Sequence, residues 1–261
     1  MEQAMSNAEV SIIIPNYKTP YLTKLCLRSL RKYTNIDKIK VIAIDNASND
    51  ESIEYLRSLP WITLIERDPG SDGAAVMHAK ALDQAMEVVD TPYVMVIHTD
   101  TIVTHPQWLE FMLKKIKQHD NIAAVGSWKL ETVPPLKAFF KRIETNIRRM
   151  LGRKILDREH YFRSHCALYK SSAVRETRGF YDNDSAGISL FNMLKAKGYE
   201  LPFIQSEELC KYMLHLNHAT MILNPVGDGH KTSKGSMRKK LEKKIRSLKA
   251  DEIMQDSSLD K

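Results

Sequence analysis

Four short apolar runs punctuate the first part of the chain: 10–15 (VSIIIP), 39–44 (IKVIAI), 61–66 (WITLIE) and 93–97 (YVMVI). They are too short for helices and apolar without interruption, as strands buried on both faces read. The stretches between them carry apolar residues at helical spacing. After Pro20, tolerated in a first turn, come Leu22, Leu25, Cys26, Ser29 and Leu30. Asn49 or Asp50 can cap a helix over 51–59, and the loop RDPGSDG leads into a small-residue helix over 74–89. Strands alternating with helices of this length predict parallel pairing with right-handed crossovers, and such sheets bind ligands at the C-terminal ends of their strands. Asn16, Asp45, Asp68 and the triplet His98-Thr99-Asp100 all fall at that edge. Packing alone does not explain polar residues after strand upon strand.

Beyond Pro106 a helix carrying Trp108, Phe111, Met112 and Ile116 precedes another apolar strand, 122–127. Pro134 and Pro135 then interrupt the pattern. Residues 136–156 place Leu136, Phe140, Ile143, Ile147, Met150 and Leu151 three and four apart among basic residues, predicting an amphipathic basic helix. Strands are expected over 161–169, 199–204 and 210–216, with a helix over 188–197 closed by Gly198. Past Pro225 the chain is polar and basic, and its last ten or so residues are expected to be disordered. The organisation is therefore an α/β domain over 1–225, with a basic helical insertion at about 134–158, and a basic helical or disordered tail over 226–261.

Charge sharpens this picture. The chain of 261 residues carries a net +7, but 137–158 and 230–249 together contribute +14, so the remainder is acidic at −7. Two basic appendages on an acidic body point to an anionic surface such as lipid headgroups. The segment 231–249 has no aromatic residue suited to stacking on bases, which weighs against single-stranded nucleic acid. Residues 1–9 lack the features of a signal peptide and no apolar run approaches the roughly 20 residues of a membrane span, so a cytoplasmic protein, peripheral at most on the membrane's inner face, is expected. Cys26, Cys166 and Cys210 show no CxxC spacing and read as reduced packing residues. No GxGxxG opens the first helix, which excludes a dinucleotide-dependent dehydrogenase, and the loop NYKTP lacks the glycine-rich phosphate loop usual in nucleotidyltransferases.

The ordered set VSIIIPNYKTPYLTKLCLRSL, VIAIDNASNDES, the glycine of GAAVMHAKALDQA, the HTD after the fourth strand, and GFYD ahead of a helix closed by GlyTyr resembles the family 2 inverting glycosyltransferases. The resemblance, over about 10–220, implies a GT-A fold: a Rossmann-like, mostly parallel central sheet flanked by helices. It implies a nucleoside-diphosphate-sugar donor whose base and ribose meet Pro15, Asn16, Tyr17, Asp45 and Asn46, with Asp68 as a further base contact and Gly73, His98 and Thr99 also at the donor site. His98-Thr99-Asp100 stands at the metal-binding DxD, with histidine in the first aspartate's place. A divalent metal, Mn2+ or Mg2+, would be held by Asp100 with His98 and with His215 or His218 of the segment MLHLNHATMIL, read as a strand.

The family's general base often lies in a GluAsp pair ahead of the helix ending in GlyTyr. Counting back from Gly198 puts that pair on Ala186 and Gly187, which carry no carboxylate, so Asp184 is expected as the base and Asp182 as its alternative. The implied activity moves one sugar to a hydroxyl of a growing, lipid-linked bacterial surface glycan. The rival readings are a related nucleotide-sugar-binding enzyme such as a nucleotidyltransferase, and a non-catalytic GT-A domain acting as a membrane-associated adaptor. The altered triplet and the missing acidic pair motivate the adaptor.

Overall fold

The computed structural model describes residues 8–68, 70–128, 130, 160–181, 186–217, 219–223 and 235–261. The basic stretch 136–156, Asp182, Asp184, His218 and residues 226–234 lie outside them.

Six strands form the main sheet: β1 (Val10–Asn16), β2 (Ile39–Asp45), β3 (Ile62–Glu66), β4 (Tyr93–Ile97), β6 (Ala124–Gly126) and β7 (Cys166–Lys170), in the order β3-β2-β1-β4-β7-β6. β1 to β4 run parallel, whereas β7 is antiparallel to both β4 and β6. A small second sheet pairs β5 (Thr101–Val103) with β8 (Met213–His215), antiparallel.

Alternation along the strands separates two cores. Ile12, Ile14, Val41, Ala43, Met95, Ile97 and Leu168 face α1 (Pro20–Tyr33), α2 (Glu51–Arg57) and α4 (Trp108–Ile116). Ile13, Ile42, Ile44, Val94, Val96 and Tyr169 face α3 (Ala74–Met86), α5 (Ser171–Arg175) and α6 (Ala186–Ala196). This is the three-layer, mostly parallel α/β architecture that the strand and helix alternation predicts. Asp50 caps α2 by accepting the N–H of Ser52, and Gly198, at φ +85°, closes α6.

The later part departs from the expected strands. The run 161–169 is a strand only from Cys166: residues 160–163 are irregular and 164–165 make a turn into it. Residues 199–204 make two isolated bridges, Ile122 to Glu200 and Gly126 to Phe203. The histidine-bearing strand stops at His215: Asn217 takes a positive φ of 45°, and α8 (Ala219–Leu223) follows, so MLHLNHATMIL is not one strand.

After α7 (Ser206–Leu209), α9 (Gly235–Ser247) and α10 (Ala250–Gln255) bury Leu241, Ala250 and Ile253 in the first core. The end of the chain, expected to be disordered, is a 3-10 turn over Ser257–Asp260 docked on α1. The Arg28 guanidinium donates to Asp260 Oδ1 and Oδ2 at 2.8 and 2.5 Å, and the Tyr55 hydroxyl donates to Oδ1 at 2.7 Å. Among the described residues no helix is long and apolar enough to cross a membrane.

Candidate active site

β1 and β2 end level, Asn16 opposite Asp45, but β1 pairs with β4 only as far as Ile13 and Val96. Pro15 follows the end of that pairing, so its missing N–H falls where β1 and β4 are already diverging. A crevice of about 220 Å3 opens there, lined by Pro15, Asn16, Tyr17 and Asn46 on one side and His78, His98 and Thr99 on the other.

A buried polar network fixes this edge. Asn16 Nδ2 lies 2.6 Å from Asp45 Oδ1 and 2.8 Å from Ser52 Oγ, and Asn16 Oδ1 accepts from the Thr23 hydroxyl at 2.6 Å. Thr19 bridges from Asn16 to Thr99, 3.2 Å away on the β4 side. Asp45 Oδ2 accepts the Ser48 N–H at 2.9 Å. Asp45 is thus buried and bonded within the network, while Tyr17 is 42% exposed on the crevice. Asn46 accepts from Arg67 Nη1 at 2.7 Å, and Arg67 also reaches the Met77 carbonyl of α3. Asp68 lies with Asp45 and Arg67 along a second cleft of about 560 Å3 outside β2. Gly73 is the N-cap of α3, and a Cβ placed there meets nothing within 4 Å.

His98, Thr99 and Asp100 form the turn from β4 into β5, closed by the Thr101 N–H donating to the His98 carbonyl at 2.9 Å. Pairing of β5 with β8 sets His215 opposite Thr101, and the Leu216 N–H donates to the Asp100 carbonyl. As a result His215 Nε2 stands 3.0 Å from Asp100 Oδ1. One ligand atom each from His98, Asp100 and His215 all lie within 4.8 Å of one another, a group able to hold a metal ion. Asp100 Oδ1 is buried and, apart from the His215 ring nitrogen, meets no hydrogen-bond donor among the described residues. A buried carboxylate costs free energy unless positive charge or a donor meets it, and a carboxylate flanked by two imidazoles is a donor set that fits a divalent cation.

Two further histidines complete the cluster. His165, just before β7, stacks on His215 with ring centroids 4.5 Å apart, and its Nε2 is buried without a hydrogen-bond partner among the described residues. His78 of α3 meets His98 edge to face at 5.1 Å, and Ser164 Oγ sits 2.9 Å from His98 Nε2 and 3.2 Å from His78 Nε2. Burial holds His78 down at about 3 and His98 at about 4, and pushes His165 well below its ordinary value. For Asp100 burial opposes ionisation, but the adjacent His215 outweighs it and the carboxyl falls well below the usual range. His215 moves up: burial would lower it, and contact with Asp100 more than offsets that. His78, His98 and His165 are therefore held neutral, the form that binds metal, while the ionised Asp100 carboxylate draws His215 toward its charged form.

Asp182 and Asp184 lie outside the described residues, but both ends of their loop are visible. Asp83 of α3 accepts the N–H groups of Phe180 and Tyr181 at 2.6 and 3.0 Å. At the other end, a Cβ on Gly187 would come within 2.5 Å of the Phe162 carbonyl. No motif or periodicity marks His78, His165, Ser164, Arg67 or Asp83 in the sequence. His165 and Ser164 fell inside an expected strand, and His78, Arg67 and Asp83 act through contacts that periodicity does not reveal.

The fold is shared with solved glycosyltransferases. The mannosyltransferase PcManGT from Pyrobaculum calidifontis, in complex with GDP-Man and Mn2+, matches with TM-score 0.55 at 16% identity over 94% of this chain and 72% of that one. S. aureus TarS (1–349) matches with TM-score 0.53 at 15% identity, covering 92% of this chain and 72% of that one. Glucosyl-3-phosphoglycerate synthase from Mycobacterium tuberculosis, in complex with phosphoglyceric acid, gives 0.51 at 14% identity, covering 92% and 80%. No curated protein matches the sequence. The profile of glycosyl transferase family 2 matches residues 11–178. The chain belongs to glycosyl transferase family 2 and is a GT-A glycosyltransferase that uses a nucleotide sugar.

Proposed function

We propose that the protein transfers a single sugar, with inversion, from a nucleoside diphosphate to a hydroxyl of a growing lipid-linked glycan of a bacterial surface polysaccharide. The observation that carries the reading is the convergence of Asp100, His98 and His215 beside the crevice at the end of β1. Asp100, His98 and His215 would hold the divalent ion, His218 being the alternative imidazole. Two imidazoles with one carboxylate favour Mn2+ over Mg2+ on ligand softness. When bound, the ion supplies positive charge that neutralises the diphosphate leaving group.

The chain's own residues do the rest. Pro15, Asn16, Tyr17, Asp45 and Asn46 position base and ribose, with Asp68, Gly73 and Thr99 around them. The acceptor oxygen forms the new bond to the anomeric carbon, the bond from that carbon to the diphosphate oxygen breaks with its electron pair leaving on the nucleotide, and the acceptor proton passes to a carboxylate. Asp184 is that base, with Asp182 its alternative. Gly187 supports this choice, because the space beside it is filled by the Phe162 carbonyl and the Tyr161 ring and a side chain there would collide. The basic segments 136–156 and 231–249 bring the protein to anionic lipid on the cytoplasmic face, where a lipid-linked acceptor resides.

Titration of the protein with nucleoside diphosphates, with and without Mn2+, tests the reading. Metal-dependent binding that Asp100→Ala abolishes is the expected result. Absence of nucleoside diphosphate binding by the unaltered protein overturns it.

A further inference from the structure

The segment 160–165 ends at the histidine cluster and begins in a different environment. Trp128, two residues beyond β6, meets Tyr161 and His160 at ring-centroid distances of 5.0 Å each. The Arg163 guanidinium lies 4.5 Å from the Trp128 ring centroid and 5.1 Å from that of Tyr161, so it is clasped by two aromatic faces while the residue stays exposed. The Arg163 N–H donates to the Ser127 carbonyl at 3.2 Å, which fixes the clasp to the end of β6. These groups, with Phe191, Phe203 and Lys195, line a cavity of about 620 Å3, within the range of small-molecule sites.

Three features indicate its occupant. The lining is mostly apolar and rich in aromatic rings, Trp128, Tyr161, Phe191 and Phe203, which suits the C–H face of a sugar ring, apolar while its edge is hydroxylated. Among the described residues the lining contains two cations, Arg163 and Lys195, and no carboxylate. Arg163 also has no acidic partner among the described residues. The third feature is continuity. Two residues of chain span at most about 7 Å, and the two that follow Arg163 are Ser164, 2.9 Å from His98, and His165, stacked on His215.

We propose that this cavity is an acceptor subsite for a glycan bearing an anionic substituent: a sugar ring stacks on Trp128 or Tyr161, and its phosphate or carboxylate meets Arg163 and Lys195. The inference rests on the glycosyl-transfer reading above, and it adds an acceptor class and the residues that select it. Arg163 fits the role because a guanidinium held between rings is pre-oriented and still presents its N–H edge to an oxyanion.

The full chain is applied to an array of neutral, uronic-acid-bearing and phosphate-bearing oligosaccharides, and nucleoside diphosphate binding with Mn2+ is measured in parallel on the same preparations. The expected result is retention on charged glycans, reduced roughly tenfold by Trp128→Ala and by Arg163→Gln, with nucleotide affinity unchanged in both. Arg163→Gln, at an exposed position, guards against a misfolded Trp128→Ala. Equal binding of neutral glycans, binding that survives both substitutions, or no glycan binding by a chain that binds nucleotide overturns the subsite. Glycan binding by a chain that binds no nucleoside diphosphate overturns the donor reading instead and leaves the subsite standing. The uronic-acid and phosphate arms separate the two sources of the anion.

Discussion

A Cβ on Gly187 would stand 2.5 Å from the carbonyl oxygen of Phe162 and 3.1 Å from the Tyr161 ring. The start of α6 is therefore closed to side chains by a stretch of backbone that cannot swing aside. Gly187→Asp should not install a working base there but should destabilise the protein by about 1–3 kcal/mol, as overpacking does. For a chain of this size that lowers Tm by roughly 2–10 °C. Thermal denaturation decides it, and a Gly187→Asp protein as stable as the parent would contradict the packing.

Asp100 and His215 make a second prediction, read by Mn2+ stabilisation. A metal that binds only the folded state raises Tm with concentration. Asp100→Ala and His215→Ala should each remove that rise. His165→Leu should retain it but shift its concentration dependence roughly ten- to a hundredfold, since His165 touches the ligand His215 through ring stacking and orients it. A full Mn2+ response in Asp100→Ala would place the metal elsewhere.

Much of this site was legible in the chain. The strand ends could be located because a continuous apolar run must stop where water begins, and Asn16, Asp45 and Asp100 mark those stops. His98 and His215 were also legible, one as part of that stop and the other through resemblance. What stayed hidden depends on register between distant strands. β7 running antiparallel beside β4 carries Ser164 and His165 to His98, and β8 pairing with β5 chooses His215. Neither pairing leaves a periodic trace. The chain's last residues misled for another reason: composition reads SSLDK as solvent-loving, yet one carboxylate, Asp260, finds the buried Arg28.

Asp83 and Gly179 yield a coupling prediction. Gly179 sits at φ +92°, and a Cβ there would lie 2.3 Å from Asp83 Oδ1. Gly179→Ala suffers both backbone strain and that collision, whereas Asp83→Ala strands two N–H groups at a cost of about 1–3 kcal/mol. Removing the carboxylate also removes the obstacle, so the double variant should be less destabilised than the sum of the singles by more than about 0.5 kcal/mol. Strict additivity in urea unfolding would show that the two do not touch. On the proposal that Asp184 or Asp182 is the base, both single variants should also slow turnover, since Asp83 holds the N–H groups of Phe180 and Tyr181 directly before them.

The docked C-terminus should respond to acid in a defined direction. Partial burial would raise the Asp260 carboxyl, but its bonds from Arg28 and Tyr55 outweigh that and hold it below its ordinary value. A carboxyl that binds its proton less readily in the folded state than in the unfolded chain contributes stability above the ordinary value of about 4. That contribution is lost as the pH falls through the lowered folded value. Asp260→Asn should therefore cost about 1–3 kcal/mol at pH 7, where the Arg28 guanidinium, only 3% exposed, loses its ionised partner. The gap between the parent and Asp260→Asn should shrink below the ordinary carboxyl value of about 4 and close once the pH has fallen through the lowered folded value, whatever the buried histidines do to both proteins alike. Paired denaturation curves from neutral pH into acid measure the gap directly, and a gap that does not shrink as the pH falls would mean that the Asp260 charge does not hold the C-terminal turn on α1.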